Sequence, residues 1–93
     1  MDKREAKRIA EKDLEYYRAM SYEDIAAKLG EAESFSRFDL SGEAYQIEFE
    51  FDYDNGLDGN IRVSSAVSYK WWTDFVPVCS DFIIAPDGRF IGE

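Results

Sequence analysis

Histidine is absent from the 93 residues, cysteine occurs once and proline twice, and no apolar run approaches the roughly 18 residues of a membrane-spanning helix. Without histidine there is no Ser/His/Asp triad, no Cys/His dyad and no His-containing zinc or iron site. With Cys79 alone there is no intramolecular disulfide and no cysteine-rich metal site, and a reducing compartment is expected. Its neighbours Val78, Ser80 and Asp81 offer neither a base nor a thiolate-stabilising cation, so Cys79 reads as a small buried hydrophobe. Met1–Glu5 begins no apolar segment, so neither a signal peptide nor a membrane span is expected and the cytoplasm is the expected location.

What is present points to one folded α+β domain over 1–93. Hydrophobic residues make up 45% of the chain and aromatics 16%, far above the composition of a disordered segment. The net charge of −9 is unevenly placed. Residues 1–28 hold seven Lys/Arg and seven Asp/Glu, whereas residues 29–93 hold four and thirteen, which accounts for the whole excess. Acidity of this kind repels phosphate backbones and anionic lipid heads, so neither nucleic acid nor a membrane surface is an expected partner, while a basic protein is. The plainer reading is that the charge keeps a small bacterial-type protein soluble.

The chain opens with helical patterning. Asp2 to Met20 is rich in Ala, Glu, Lys and Arg, has no Gly or Pro, and begins with Asp2 and Glu5 at capping-box spacing. Ala6, Ile9, Ala10, Leu14, Tyr16, Tyr17 and Met20 fall within one arc, with Asp13 in its middle. Asp13 is therefore either a partly buried carboxylate of perturbed pKa, or a side chain hydrogen-bonded to a Tyr or Lys or rotated by the helix to an edge. Ser21 then reads as an N-cap, with Tyr22, Ile25, Ala26 and Leu29 at helical spacing and Gly30 as the stop. The expected helices thus span about 2–20 and 22–29. Ser21–Gly30 also resembles the first helix of a DNA-binding helix-turn-helix, but Glu31–Phe35 brings acid and then strand where a basic recognition helix should follow.

From Phe35 onward, where twelve of the fifteen aromatics lie, the period changes to two. Phe35 to Leu40 reads as a first strand. In Ala44 to Asp54, Tyr45, Ile47, Phe49, Phe51 and Tyr53 point one way and Gln46, Glu48, Glu50, Asp52 and Asp54 the other. Asn55–Asn60 carries two glycines and reads as a hairpin loop, followed by Ile61, Val63, Val67 and Tyr69 alternating with Arg62, Ser64, Ser68 and Lys70. Pro86–Asp87–Gly88 marks a further turn between Phe82–Ala85 and Arg89–Ile91. The expectation is two N-terminal helices packed on one face of a four- or five-stranded antiparallel meander sheet, its strands between about 35 and 92.

Met20-Ser21-Tyr22-Glu23-Asp24-Ile25 and Leu29-Gly30-Glu31-Ala32-Glu33-Ser34 resemble the second-helix signature of the SmpA/BamE and β-lactamase-inhibitor-protein-like domains. Ala19 stands where that family prefers Gly, and Ala32 where it prefers Pro. The resemblance implies a binding scaffold that contacts another protein through its sheet or loops, and it transfers no catalytic residue.

Three features are candidate sites. The carboxylates Glu48, Glu50, Asp52 and Asp54 stand about 6.5 to 7 Å apart along one strand face, with Arg62 as the cation placed opposite Asp52 or Asp54 according to register. They form either a docking face for a basic partner or an ordinary solvated face. Of Trp71 and Trp72, strand parity turns Trp71 inward and leaves Trp72 beside the acids, where it suits an Arg or Lys contact unless the C-terminal segment covers it. Asp54, Gly56 and Asp58 echo the start of an EF-hand loop, but its twelfth position falls on Ser65 and its flanks are strands, so no metal is expected beyond a weak surface site at Asp54 and Asp58. No cofactor is expected. The expected function is a non-enzymatic protein-binding or accessory domain using the acidic face. Two other classes stay open: an immunity-type neutraliser of a basic toxin or nuclease, and a small hydrolase using carboxylates alone.

Overall fold

The computed structural model of the chain describes residues 3–56, 58–69 and 77–92. Helices α1 (Lys3–Arg18) and α2 (Tyr22–Ala26) precede strands β1 (Ala32–Phe38), β2 (Ala44–Tyr53), β3 (Ile61–Tyr69), β4 (Val78–Ile84) and β5 (Phe90–Ile91). The strands form one antiparallel sheet in the order β1-β2-β3-β4-β5. This is the expected α+β meander, with five strands. No helix among the described residues is long and apolar enough to cross a membrane.

Side-chain alternation decides which face is covered. Ile47, Phe49 and Phe51 of β2, Ile61, Val63 and Val67 of β3, and Phe82 and Ile84 of β4 all lie on the inner face and are buried. Helix α1 lays Ala6, Ala10 and Leu14 on this surface. Alanine at 6 and 10 lets its backbone come close to the sheet, and Ser65, the one buried polar side chain among the described residues, uses that closeness: its hydroxyl donates to Ala10 O at 2.9 Å. Tyr17 closes over β2, its ring lying 4.8 Å from Phe49 and 5.2 Å from Phe51, and Ile25 of α2 is buried in the same cluster. On the opposite flank the Arg18 guanidinium covers the rings of Phe82 and Phe90 at 4.8 and 5.0 Å.

Both helices are shorter than their patterning suggests. After Arg18 the Met20 N–H donates to Tyr17 O at 3.0 Å, a tight turn that lets Ser21 take up the extended conformation of an N-cap. The Ser21 side chain accepts from the Asp24 N–H, as its spacing suggests. Past Ala26 the chain continues in turns, with Lys28 N–H to Ile25 O and Leu29 N–H to Ala26 O, until Gly30 stops it at φ +80°. Asp2, half of the expected capping box, lies outside the described residues. The first strand starts at Ala32 and not at Phe35, because Gly30 delivers the chain directly to the edge of β2, its N–H bonded to Phe51 O at 3.0 Å.

Four side chains depart from the pattern. Tyr16 and Tyr53, both expected inward, are 68% and 53% exposed: Tyr16 lies at the margin of the apolar arc, and Tyr53 sits at the hairpin end of β2. Asp13 is paired with Arg37 of β1, not with a Tyr or Lys. Cys79 is exposed instead of buried, because Phe82 and Ile84 take the inward positions of β4 and leave Cys79, opposite Ala66, on the outer face.

Two predictions follow from the packing. Phe51→Ala should cost about 3 to 5 kcal/mol by denaturant melt, while a loss under about 1 kcal/mol would contradict the burial of its ring. In the β2–β3 loop, Gly56 and Gly59 both have positive φ, but only at Gly59 would a Cβ meet Pro86 Cγ at 3.1 Å, beside the Tyr22 hydroxyl that donates to Gly59 O at 2.6 Å. Gly59→Ala should therefore destabilise clearly more than Gly56→Ala, whose cost is the left-handed backbone alone, about 1 to 2 kcal/mol. Equal losses would show that the Pro86 contact gives way.

Candidate functional site

The outer face of the sheet is built from the even residues of β2 and their cross-strand neighbours. Glu48 lies between Ser34 and Ala66, and Glu50 between Ala32 and Ser64. Neighbours this small let the carboxylates stand clear of the sheet, and no described element covers them. Glu48, Glu50 and Asp52 are exposed, and among the described residues no cation pairs with any of them. Asp81 of β4, in register with Ser64, adds a further exposed carboxylate to the same face.

Arg62 answers acids at one end only. It stands opposite Asp52 in register, yet its guanidinium reaches along the strand to Asp54, Nη2 to Oδ1 at 2.7 Å and Nε to Oδ1 at 3.2 Å, and its Nη1 bonds Asp81. Hydrogen bonding to Asp54 and then to Asp81 holds the Arg62 proton more tightly than usual. Asp54 is accordingly half-buried against Arg62 and not part of the open row. Asp58 serves the hairpin loop, accepting from the Asn60 N–H and side-chain amide at 3.0 Å each. Among the described residues no group of three or more acidic or cysteine side chains is placed to hold a metal. Trp72, the aromatic expected beside the row, lies outside the described residues together with Lys70 and Trp71.

A second feature sits on the helix side. The inner-face residues of β1 are Glu33, Phe35 and Arg37, set opposite Phe49, Ile47 and Tyr45. The helices stop short of this strand, which leaves a groove of about 380 Å³ lined by Tyr16, Tyr17, Phe35 and Phe49 with charged residues along its rim. Those charges are matched. Asp13 of α1 bonds Arg37, and Glu33 accepts from the Tyr17 hydroxyl at 2.5 Å and from Lys28 Nζ at 2.9 Å. The two donors hold the Glu33 carboxyl below its ordinary pKa, burial opposing them more weakly. Burial first, and Glu33 second, push the Tyr17 hydroxyl up. What the groove presents is an aromatic surface, with Phe35 still 42% exposed, inside a neutralised rim.

Comparison with protein-family models, with curated proteins and with solved structures finds no match to this chain. The site must be read from its own chemistry. Parity alone placed the acidic row, but it could not show the groove, whose lining comes from α1, the turn after α2, β1 and β2. The sequence signal for it was present in Glu33, Phe35 and Arg37, a period-two set that mixes both charges with an aromatic on the face turned to the core.

The lowered Glu33 pKa carries a pH dependence. The native carboxyl binds its proton more weakly than the same group in the unfolded chain, so its contribution is complete above about pH 4.5 and is lost as pH falls through the native value. Thermal melts should show wild type losing more stability than Glu33→Gln between neutral pH and the carboxylate range. Parallel acid limbs for the two proteins would mean that the Tyr17–Glu33–Lys28 bonds add nothing to folding.

Proposed function

We propose that this chain is a non-enzymatic protein-binding domain whose outer sheet face docks a basic protein. The observation that carries the reading is a contrast between the two faces. On the helix side the charges around β1 come as matched pairs, Asp13 with Arg37 and Glu33 with Lys28. On the outer face Glu48, Glu50 and Asp52 stand exposed with no cation paired to them among the described residues. The described outer face sets small Ser and Ala side chains beside its exposed carboxylates, which suits long-range attraction and multiple weak ion pairs more than acid–base work on a desolvated carboxyl. Such a field speeds the encounter with a cationic partner and selects against nucleic acid and anionic membranes.

Two further points agree with this reading. The resemblance of the Met20–Ser34 segment to SmpA/BamE and β-lactamase-inhibitor-protein-like domains implies a binding scaffold with the same order of helices followed by an antiparallel sheet. The exposed thiol of Cys79 suits a reducing compartment, and we place the domain in the cytoplasm.

The test compares Glu48→Gln/Glu50→Gln with Glu11→Gln/Glu31→Gln, a variant of equal net charge altered away from the face. With oligolysine as the probe, wild type and the Glu11/Glu31 variant should bind alike, with affinity that falls as salt rises, while the Glu48/Glu50 variant binds more weakly. The Glu48/Glu50 variant should melt at or above the wild-type temperature at low salt, and added salt should stabilise wild type more, since it screens a repulsion that the variant lacks. Equal loss of binding in both double variants would reduce the face to bulk charge. Unfolding of the Glu48/Glu50 variant would make these acids structural and remove the docking reading.

A further inference from the structure

The two edges of the sheet are finished differently. Along β4 the two-residue β5 takes up part of the edge, and Lys7 Nζ donates to the Cys79 carbonyl at 2.7 Å. Covering of this kind is how an open edge is kept from pairing with another chain. Strand β1, seven residues long with no proline, pairs among the described residues with β2 alone.

Hydrogen-bond parity identifies the groups on that open edge. In the β1–β2 register Phe38 faces Ala44, which sets Asp39 opposite Glu43, and the Asp39 N–H bonds Glu43 O at 2.9 Å. The odd residues Glu33, Phe35 and Arg37 therefore turn their backbone groups to β2. Ala32, Ser34, Ser36 and Phe38 turn theirs outward, to the edge.

We propose that β1 is the contact between two copies of this chain, paired antiparallel about a two-fold axis through Phe35 so that the two sheets become one. In this register Ser34 faces Ser36 of the second copy and Ala32 faces Phe38, in both directions, so the outward N–H and C=O groups of β1 all find partners. The odd residues then form the non-hydrogen-bonded pairs, the closer kind, on the inner face. Phe35 meets Phe35 of the second copy beside the groove, and Glu33 meets Arg37 of the second copy on either side of it. Each charge keeps its own-chain partner, Lys28 or Asp13, so every ion gains a neighbour of opposite sign.

Other registers lose this match. A shift of two residues sets Glu33 or Arg37 against Phe35, and a shift of four sets Glu33 against Glu33 or Arg37 against Arg37. The inward charges that would deter a foreign strand are thus the ones that specify a second copy, in a contact that closes on itself and leaves no free β1 edge. The outer side of the joint, Ala32, Ser34, Ser36 and Phe38, carries no charge, and Phe38, 75% exposed, gains the cover of Ala32 across the pair.

Sedimentation across the micromolar-to-millimolar range tests this. Wild type should pass from monomer to a species of twice the mass as concentration rises. Glu33→Lys and Arg37→Glu should each be monomeric over the range in which wild type pairs, because each sets like charges across the joint. Mixed in equal amounts they should dimerise again, since each reversed charge then faces its opposite. Because Glu33→Lys also disturbs Lys28, circular dichroism should accompany it, and Ser36→Pro provides an independent arm. Proline there removes an outward N–H without touching the β2 ladder, so the fold should stay and the dimer should go. A wild type monomeric throughout, a dimer that survives Ser36→Pro, or reversed variants that mix without pairing would each overturn the proposal.

Discussion

The alternation along β2 is the constraint on which the other layers depend. Ile47, Phe49 and Phe51 share one face, and Glu48, Glu50 and Asp52 share the other, so a one-residue slip would expose two phenylalanines and bury three carboxylates. An unpaired carboxylate in an apolar interior costs at least several kcal/mol, which removes the slipped register from contention. Once β2 is set, pairing turns Val63 and Val67 of β3 inward, and these in turn orient Phe82 and Ile84 through β4. The helices then have one apolar surface to cover, and α1 covers it with its own small residues.

Strand β1 is held in a different way. Opposite the core residues Phe49 and Tyr45 its inner face carries Glu33 and Arg37, and α1 and the turn after α2 reach it through polar side chains: Asp13 to Arg37, and Tyr17 with Lys28 to Glu33. Partly exposed ion pairs contribute on the order of 1 kcal/mol or less each, against about 1.5 to 3 kcal/mol for a fully buried aliphatic or aromatic side chain. This flank of the domain is therefore anchored by direction more than by strength. It is also where the aromatic surface stays open.

The element types and the two faces were legible because they rest on periodicities that each residue reports by itself: 3.6 in Ala6–Ala10–Leu14–Tyr17, two in Tyr45–Phe51, and a cap at Ser21. Less legible were features that depend on how far a side chain reaches or where the covering layer ends. The pattern left Arg62 opposite either Asp52 or Asp54; the register sets it opposite Asp52, but its long guanidinium reaches Asp54 and Asp81. Parity alone turned Tyr53 inward, but the cover thins at the hairpin end. Cys79 was judged by residue type, although the outward parity set by Phe82 and Ile84 decided its place. For the candidate site, parity gave the outward placement of Glu48, Glu50 and Asp52, but not the loss of Asp54 from the expected row to Arg62; nor was the groove legible, since the contacts of Asp13 with Arg37 and of Tyr17 with Glu33 join segments 24 and 16 residues apart.

Joining two copies through β1 raises a question of charge, because each brings an acidic outer face. The answer lies in the composition of β1. Its outer residues Ala32, Ser34, Ser36 and Phe38 are uncharged, so in the joined sheet the acidic rows of the two β2 strands are separated by both β1 strands. Three strand spacings of about 4.8 Å make roughly 14 Å. That exceeds the Debye length of about 8 Å at physiological ionic strength, so the two rows repel only weakly there. The ion pairs at the joint, between Glu33 and Arg37 on adjacent strands, act at much shorter range and are screened far less. In the proposed dimer attraction therefore outweighs repulsion at ordinary salt, and the neutral strip that would permit the contact would also keep the two acidic faces apart as independent surfaces for the proposed basic partner.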